Sequence, residues 1–312
     1  MLQPFFSVTI PAYKPHFLDE AINSILAQTY DNFELIIVDD CSPYDIISIV
    51  KKYRDNRIRY FRNEKNCGAI DVVDNWNLCL SYAKGDYVIC MGDDDRLLPN
   101  CLEEYSKLIN KYPGIGLIHG WTQIIDEHSK VFHLTTHRCE YESAMSHIWH
   151  RWNAYTYQYI GDFCFNSEWL RQQGGFYKIP LAWGSDNISA VLGAAKNGVA
   201  NTQVPVFQYR RNRYTISSTG NIDIKMKAIL MEQMWHQKFI DEYVGDELDT
   251  FYKAQAKAEL PRRFQKEFAL TIAIDIRRNP LRFLYWLLFA SKYKVKRSTL
   301  LFALVQVAKQ FA

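Results

Sequence analysis

Three consecutive carboxylates, Asp93-Asp94-Asp95, follow a hydrophobic run, Tyr87-Val88-Ile89-Cys90-Met91, and a single glycine, Gly92. Adjacent carboxylates repel one another, and a bare cluster raises its own pKa values. A divalent cation removes that cost, because Mg2+ and Mn2+ prefer oxygen ligands and bridge a few carboxylates to substrate phosphates. The plainer alternative is a solvated acidic turn that caps a helix starting near Pro99. A second pair, Asp39-Asp40, closes the run Phe33-Glu34-Leu35-Ile36-Ile37-Val38. A carboxylate there can accept from a base N–H or from ribose hydroxyls. It can equally hold an Asx-turn around Cys41-Ser42-Pro43.

The elements that must position these groups follow from periodicity. Phe6 to Ile10 reads as a short strand stopped by Pro11, and Phe17 to Gln28 has helical apolar spacing. Strand and helix patterns then alternate. Strands fall at 33–38, 58–61, 87–91 and 115–119, and helices at 44–53, 69–83 and 99–111. This rhythm implies an α/β fold, a mostly parallel sheet with helices on both faces. Such sheets bind ligands beyond the C-terminal ends of their strands. Those ends carry Pro11-Ala12-Tyr13, Asp39-Asp40 and Asp93-Asp94-Asp95, so topology alone directs all three into one crevice. Residues 121–220 are less regular, with a helix near 185–197 and a strand near 202–209. From Asn221 the pattern is helical, which divides the chain into 1–220 and 221–312.

The ordered set of segments resembles family 2 inverting glycosyltransferases with the GT-A fold. It opens with Ser7-Val8-Thr9-Ile10-Pro11-Ala12-Tyr13 and continues through Leu18 to Tyr30. Phe33 to Ser42, Asn66-Cys67-Gly68, Lys84-Gly85-Asp86-Tyr87 and Gly92-Asp93-Asp94-Asp95 complete it. The resemblance covers about the first 100 residues well and extends weakly to about 220. It implies a GT-A nucleotide-sugar-binding and catalytic domain over 1–220, with a helical C-terminal region beyond. Pro11, Ala12 and Tyr13 would line a nucleoside pocket, Asp39 would contact the base and Asp40 would support it. Asn66 and Gly68 would lie near ribose and phosphates. Asp93, Asp94 and Asp95 would form the metal motif for Mn2+ or Mg2+, with Asp95, joined by Asp93, as the ligand. The family motif often reads Asp-x-Asp-Asp, and Gly92 stands at its first position here. That departure leaves open which carboxylate meets ribose and which meets metal.

An inverting transferase needs a base for the acceptor hydroxyl, and its transition state resembles an oxocarbenium ion, as in glycoside hydrolysis. Family members place that base in a Glu-Asp pair after a Gly-Gly-Phe segment. This chain has Gly174-Gly175-Phe176, then Trp183-Gly184-Ser185-Asp186-Asn187. The resemblance therefore makes Asp186 the base, with Ser185 in place of the usual Glu. Without it, Asp186 reads as an acid favoured by a helix N-terminus. The stretch Tyr209-Arg210-Arg211-Asn212-Arg213 resembles a loop that folds over the diphosphate, with Asn212 where the family often has His. Arg210, Arg211 and Arg213 would contact phosphates, since guanidinium suits them; a solvated basic turn is the alternative. Trp121, Trp149, Trp152, Tyr155, Tyr157, Tyr159 and Phe163 fall where acceptors bind in this family. Most of them are expected in the core, and Trp183 is the acceptor-contact candidate.

Composition narrows the classes. The formal net charge of +3, from 37 basic and 34 acidic residues, gives no basis for nucleic-acid binding. Aromatic residues reach 15%, which suits stacking surfaces or an aromatic-rich core. Seven cysteines, without CxxC spacing, argue against a disulfide framework and for a reducing compartment. His133-x-x-x-His137 and His147-x-x-His150 lack convincing partners for zinc. The N-terminus lacks signal-peptide character, and no apolar run of about 18 residues exists. The expectation is thus a cytoplasmic protein.

The tail 280–312 mixes apolar, aromatic and basic residues. It suits a helix lying on the inner face of the plasma membrane, or one packing against the main domain or a second subunit. The expected activity is metal-dependent, inverting transfer from a nucleotide-diphosphate sugar, UDP-linked, to a saccharide or lipid-linked saccharide in cell-surface polysaccharide synthesis. Two other classes stay open. Ser185 and Asn212 keep alive a nucleotide-sugar-binding or scaffolding subunit without catalysis. A nucleotidyltransferase has no glycine-rich triphosphate loop to support it.

Overall fold

A computed structural model of the chain describes residues 2–153, 157–212 and 221–308. Its N-terminal part runs β1 (Phe6–Ala12), α1 (Leu18–Leu26), β2 (Phe33–Asp39), α2 (Ile46–Val50), β3 (Ile58–Arg62), α3 (Val72–Tyr82), β4 (Tyr87–Cys90), β5 (Arg96–Leu97) and α4 (Cys101–Lys111). The middle adds β6 (Leu117–Ile125), β7 (Val131–Leu134), β8 (Tyr141–Glu142), α5 (Ala144–Trp152), β9 (Phe163–Asn166), α6 (Ser167–Gln172), α7 (Ser185–Ala194) and β10 (Val199–Arg210). Four helices follow: α8 (Ile222–Glu242), α9 (Glu247–Arg278), α10 (Arg282–Phe289) and α11 (Arg297–Ala308).

The strands form one mixed sheet in the order β3-β2-β1-β4-β9-β6-β10-β5. The ladders β3-β2-β1-β4 and β6-β10 are parallel, and β9 is antiparallel to both its neighbours. β2 is buried at every residue and β1 at all but one, as expected of strands covered on both faces. Glu34, a buried acid of β2, accepts from Ser7 Oγ (2.7 Å), Lys84 N (2.7 Å) and Arg59 Nη1 (2.6 Å), which offsets its desolvation. α1 buries Leu18, Ala21, Ile22 and Ile25 against the sheet.

Several elements differ in extent from the sequence reading. The helix expected over 44–53 is only Ile46–Val50, started by Asp45, which accepts from Ser48 N at 3.2 Å. The strands near 115–119 and 202–209 are longer, Leu117–Ile125 and Val199–Arg210, because they pair with each other over most of their length. The helical C-terminal region does not stand apart. Met145 and Ile148 of α5 and Val191 of α7 share a core with Ile229, Phe264, Phe268 and Trp286. Among the described residues, no helix is long and apolar enough to cross a membrane.

Candidate functional site

A cavity of about 730 Å3 opens beyond the C-terminal ends of β1, β2 and β4. Register explains the convergence: Ala12 pairs with Asp39, and Thr9 of β1 with Cys90 of β4, so the three strands exit side by side. Pro11, Tyr13, Asp40, Asn66 and Gly68 line the cavity, with Asp93, Asp94 and Asp95. Trp183 and Asp186 line the same cavity.

The acidic turn is held by backbone donors. Asp93 Oδ2 accepts from Tyr13 N (2.8 Å) and Lys14 N (2.7 Å), which ties the exit of β4 to that of β1. Asp95 Oδ1 accepts from Arg210 N at 2.9 Å, and Asp94 Oδ2 from Asn212 Nδ2 at 2.7 Å. Burial, then the charge of Asp94, pushes the Asp93 carboxyl up to about 6. The same two causes raise Asp95 well above the usual carboxylate range. Gly92 has a spatial reason: a Cβ there would sit 3.0 Å from oxygens of both Asp94 and Asp95.

Asp186 lies in the first turn of α7, beyond Gly184, whose φ of 105° few other residues adopt. Asp186 Oδ1 accepts from Asn187 N at 2.9 Å. Burial raises its pKa, and the charge of Arg151 and this hydrogen bond partly counter the shift. Behind it, Asn187 receives Gln158 Nε2 (3.0 Å) on its oxygen and donates to Glu232 Oε1 on α8 (2.9 Å).

The family model described as "Glycosyl transferase family 2" matches residues 7–176, more than half of the chain. This chain belongs to that family. Among its relatives, Escherichia coli WcaA, a putative colanic acid biosynthesis glycosyl transferase, is 37% identical over 105 residues, 33% of this chain and 37% of that protein. Bacillus subtilis EpsE, a putative glycosyltransferase, is 34% identical over 113 residues, 35% of this chain and 40% of that protein. The chain thus spans less than half the length of these curated relatives. In fold it is similar to S. aureus TarS 1-349, crystallised in complex with UDP-GlcNAc. The TM-score is 0.66 at 17% identity, covering 88% of this chain and 81% of that one. The mannosyltransferase PcManGT from Pyrobaculum calidifontis, in complex with GDP-Man and Mn2+, gives 0.56 at 16% identity, covering 99% and 88%. The GT-A fold expected from the sequence is the fold observed.

Not every anticipated residue of this family 2 chain reaches the cavity. Asp39 is fully buried and does not line it. It accepts from Ser42 N (2.7 Å) on one oxygen, and from Tyr60 Oη (2.7 Å) and Arg62 Nη1 (2.5 Å) on the other. The turn bond to Ser42 therefore belongs to Asp39, not Asp40. Asp40 instead takes Asn63 Nδ2 (2.8 Å) and Cys67 N (3.0 Å) and reaches the cavity wall. Ala12 is buried, and its carbonyl accepts Asp40 N. Arg210 also falls outside the lining. Its buried guanidinium lies over the Phe17 ring and donates to Asp94 O (2.8 Å), Asp126 O (3.0 Å), Ser129 Oγ (3.0 Å) and Glu20 Oε2 (2.8 Å). It braces the acidic turn from behind. Arg211 is exposed and absent from the lining, Asn212 borders a small adjoining hollow, and Arg213 and Tyr155 lie outside the described residues. Of the histidines, His147 faces Arg138, and His150 pairs with Glu142.

Two aromatics from the expected acceptor region and diphosphate loop reach the cavity, together with three charged residues that local pattern did not single out. Tyr159 and Tyr209 stack at 3.6 Å between ring centroids, and both face the cavity. Arg151 of α5 and the ion pair Arg263–Glu267 of α9, at 2.7 Å, form its far end. Arg263 and Glu267 stand one helical turn apart in a mostly polar stretch, a pattern indistinguishable from a solvated helix face.

The acidic turn suits a hard cation in charge: burial and mutual repulsion leave Asp93 and Asp95 poorly neutralised. Among the described residues no three acidic, His or Cys side chains form a ready metal cage. A cation held by one or two carboxylates together with substrate phosphates requires none.

Proposed function

We propose that this chain is a metal-dependent inverting glycosyltransferase, moving a sugar from a nucleotide-diphosphate donor, UDP-linked, to a saccharide or lipid-linked saccharide. The observation that carries the reading is that Asp93, Asp94, Asp95 and Asp186 face one cavity large enough for a nucleotide sugar. Tyr13, Asp40, Asn66 and Gly68 bind the nucleoside side. Asp95 and Asp93 hold Mn2+ or Mg2+, which when bound offsets the charge developing on the leaving diphosphate. Asp39 is fully buried beside Tyr60 and Arg62, so it contacts a base only if the cover around it opens.

Asp186 accepts the proton of the acceptor hydroxyl as that oxygen bonds to the anomeric carbon. The bond from that carbon to the diphosphate oxygen breaks, and the diphosphate keeps the electron pair. Burial makes Asp186 a stronger base than an exposed aspartate. Trp183, with Lys225 Nζ 4.3 Å from its ring centre, offers a flat face to the acceptor sugar. The colanic acid biosynthesis in the name of WcaA supports polysaccharide synthesis, and the UDP-GlcNAc complex of TarS supports a UDP donor.

Thermal shifts with UDP, GDP and other nucleoside diphosphates, with and without Mn2+, test the binding half. Stabilisation by UDP that needs metal and disappears in Asp95→Ala is expected. Release of UDP from UDP-sugars with candidate acceptors tests the transfer half. Tight UDP and metal binding without turnover of any donor would turn the reading toward a non-catalytic subunit.

A further inference from the structure

The formal charge of +3 conceals a division. Residues 276–312 hold eight of the 37 Lys and Arg and none of the 34 Asp and Glu. The tail is therefore +8 and the rest of the chain −5. Within that tail α10 is fixed by its polar and aromatic inner side. Trp286 is buried and donates Nε1 to Asp275 Oδ2 at 2.8 Å, and Arg282 Nε donates to the same oxygen at 2.7 Å. The hydroxyls of Tyr285 and Tyr293 both donate to Asp223 Oδ1 at 2.8 Å.

These anchors turn the aliphatic side of α10 outward. Leu281 and Leu288 are each 73% exposed, Leu284 59% and Leu287 54%. This inverts the usual order of a surface helix, which hides leucine and shows polar groups. The segment after α10 alternates. Tyr293 and Val295 point inward, while Lys292, Lys294 and Lys296 are exposed. Outward leucines thus adjoin an outward row of lysines with no acid after Asp275 in the sequence.

We infer that this face docks on an anionic phospholipid bilayer, the leucines of α10 entering the acyl boundary and Lys292, Lys294 and Lys296 meeting lipid phosphates. Charge decides the occupant. A second copy using the same face across a two-fold axis would set the exposed Lys292, Lys294 and Lys296 of one copy beside those of the other. An anionic leaflet supplies both an apolar layer and the opposite charge. The inference goes beyond the proposed transfer reaction, and its test needs no turnover.

Flotation with phosphatidylcholine vesicles, with and without phosphatidylglycerol, tests it at low and high salt. Binding is expected only with phosphatidylglycerol, and salt should weaken it. Leu284→Asp/Leu288→Asp should abolish binding. Lys292→Gln/Lys294→Gln/Lys296→Gln should weaken it on the order of a hundredfold. All five positions are exposed, so both variants should keep the wild-type melting temperature, which verifies folding. Absence of phosphatidylglycerol-dependent binding, or undiminished binding by the leucine variant, overturns the inference. So does a concentration-dependent dimer that the leucine variant dissolves while vesicles stay unbound.

Discussion

Asn187, the neighbour of Asp186, donates its side-chain amide to Glu232 across 45 residues of sequence at 2.9 Å. The turn that presents the candidate base is therefore held from behind by the C-terminal helices. Burial, and then the charge of Glu267, pushes the Glu232 carboxyl up to about 8. A carboxyl whose folded pKa is raised favours folding most below its unfolded value of about 4.5, and that advantage fades as pH rises through about 8. Glu232→Gln should melt like wild type near pH 5 and at a higher temperature near pH 8. Parallel melting curves for the two proteins across this window would show that Glu232 is not held protonated.

Gly184 meets the same side chain. A Cβ there would lie 2.4 Å from Glu232 Oε2, and its φ of 105° is unfavourable for an L-residue. Gly184→Ala should destabilise by about 1–3 kcal/mol. In a double-mutant cycle, Glu232→Ala should recover the steric part and leave the backbone part. Chemical denaturation of the four proteins checks it.

Proton and cation compete for Asp93. With its pKa raised to about 6, the cation-free turn is most favourable at low pH and is penalised as pH rises through that value. Mn2+ reverses the penalty by neutralising the carboxylates. The rise in melting temperature produced by Mn2+ with UDP should therefore be small at pH 5 and large at pH 7. Asp93→Asn should flatten that dependence.

Asp186→Asn keeps the hydrogen-bonding shape at the start of α7 but removes the base. Metal-dependent UDP binding should survive, while kcat falls by between about a hundredfold and ten-thousandfold. Normal transfer by this variant would eliminate Asp186 from the chemistry.

Arg210 makes a different prediction from a phosphate-binding arginine. Its guanidinium is buried and serves three neutral acceptors besides the half-exposed Glu20, so Arg210→Ala should cost about 3 kcal/mol of stability through the acceptors left unpaired. Arg211→Ala, at an exposed position, should leave stability within about 0.5 kcal/mol. Denaturation midpoints distinguish the two.

Local pattern alone determined much of this molecule. Hydrophobic runs ending in Pro11, Asp39 and Gly92 marked parallel strands whose exits must adjoin, because parallel register leaves little freedom there. That logic, with the family segments, located Asp93, Asp94, Asp95 and Asp186 in one cavity. It did not reveal which member of an acidic pair turns inward. Asp39 faces β3, where Tyr60 and Arg62 wait, and Asp40 faces the cavity. Nor did it show that Arg210 curls back beneath the acidic turn, or that α9 supplies Arg263 and Glu267 to the far wall. These outcomes depend on contacts between residues tens to hundreds of positions apart. Charge and periodicity are properties of neighbours in the chain, whereas burial and pairing are set only when distant elements pack.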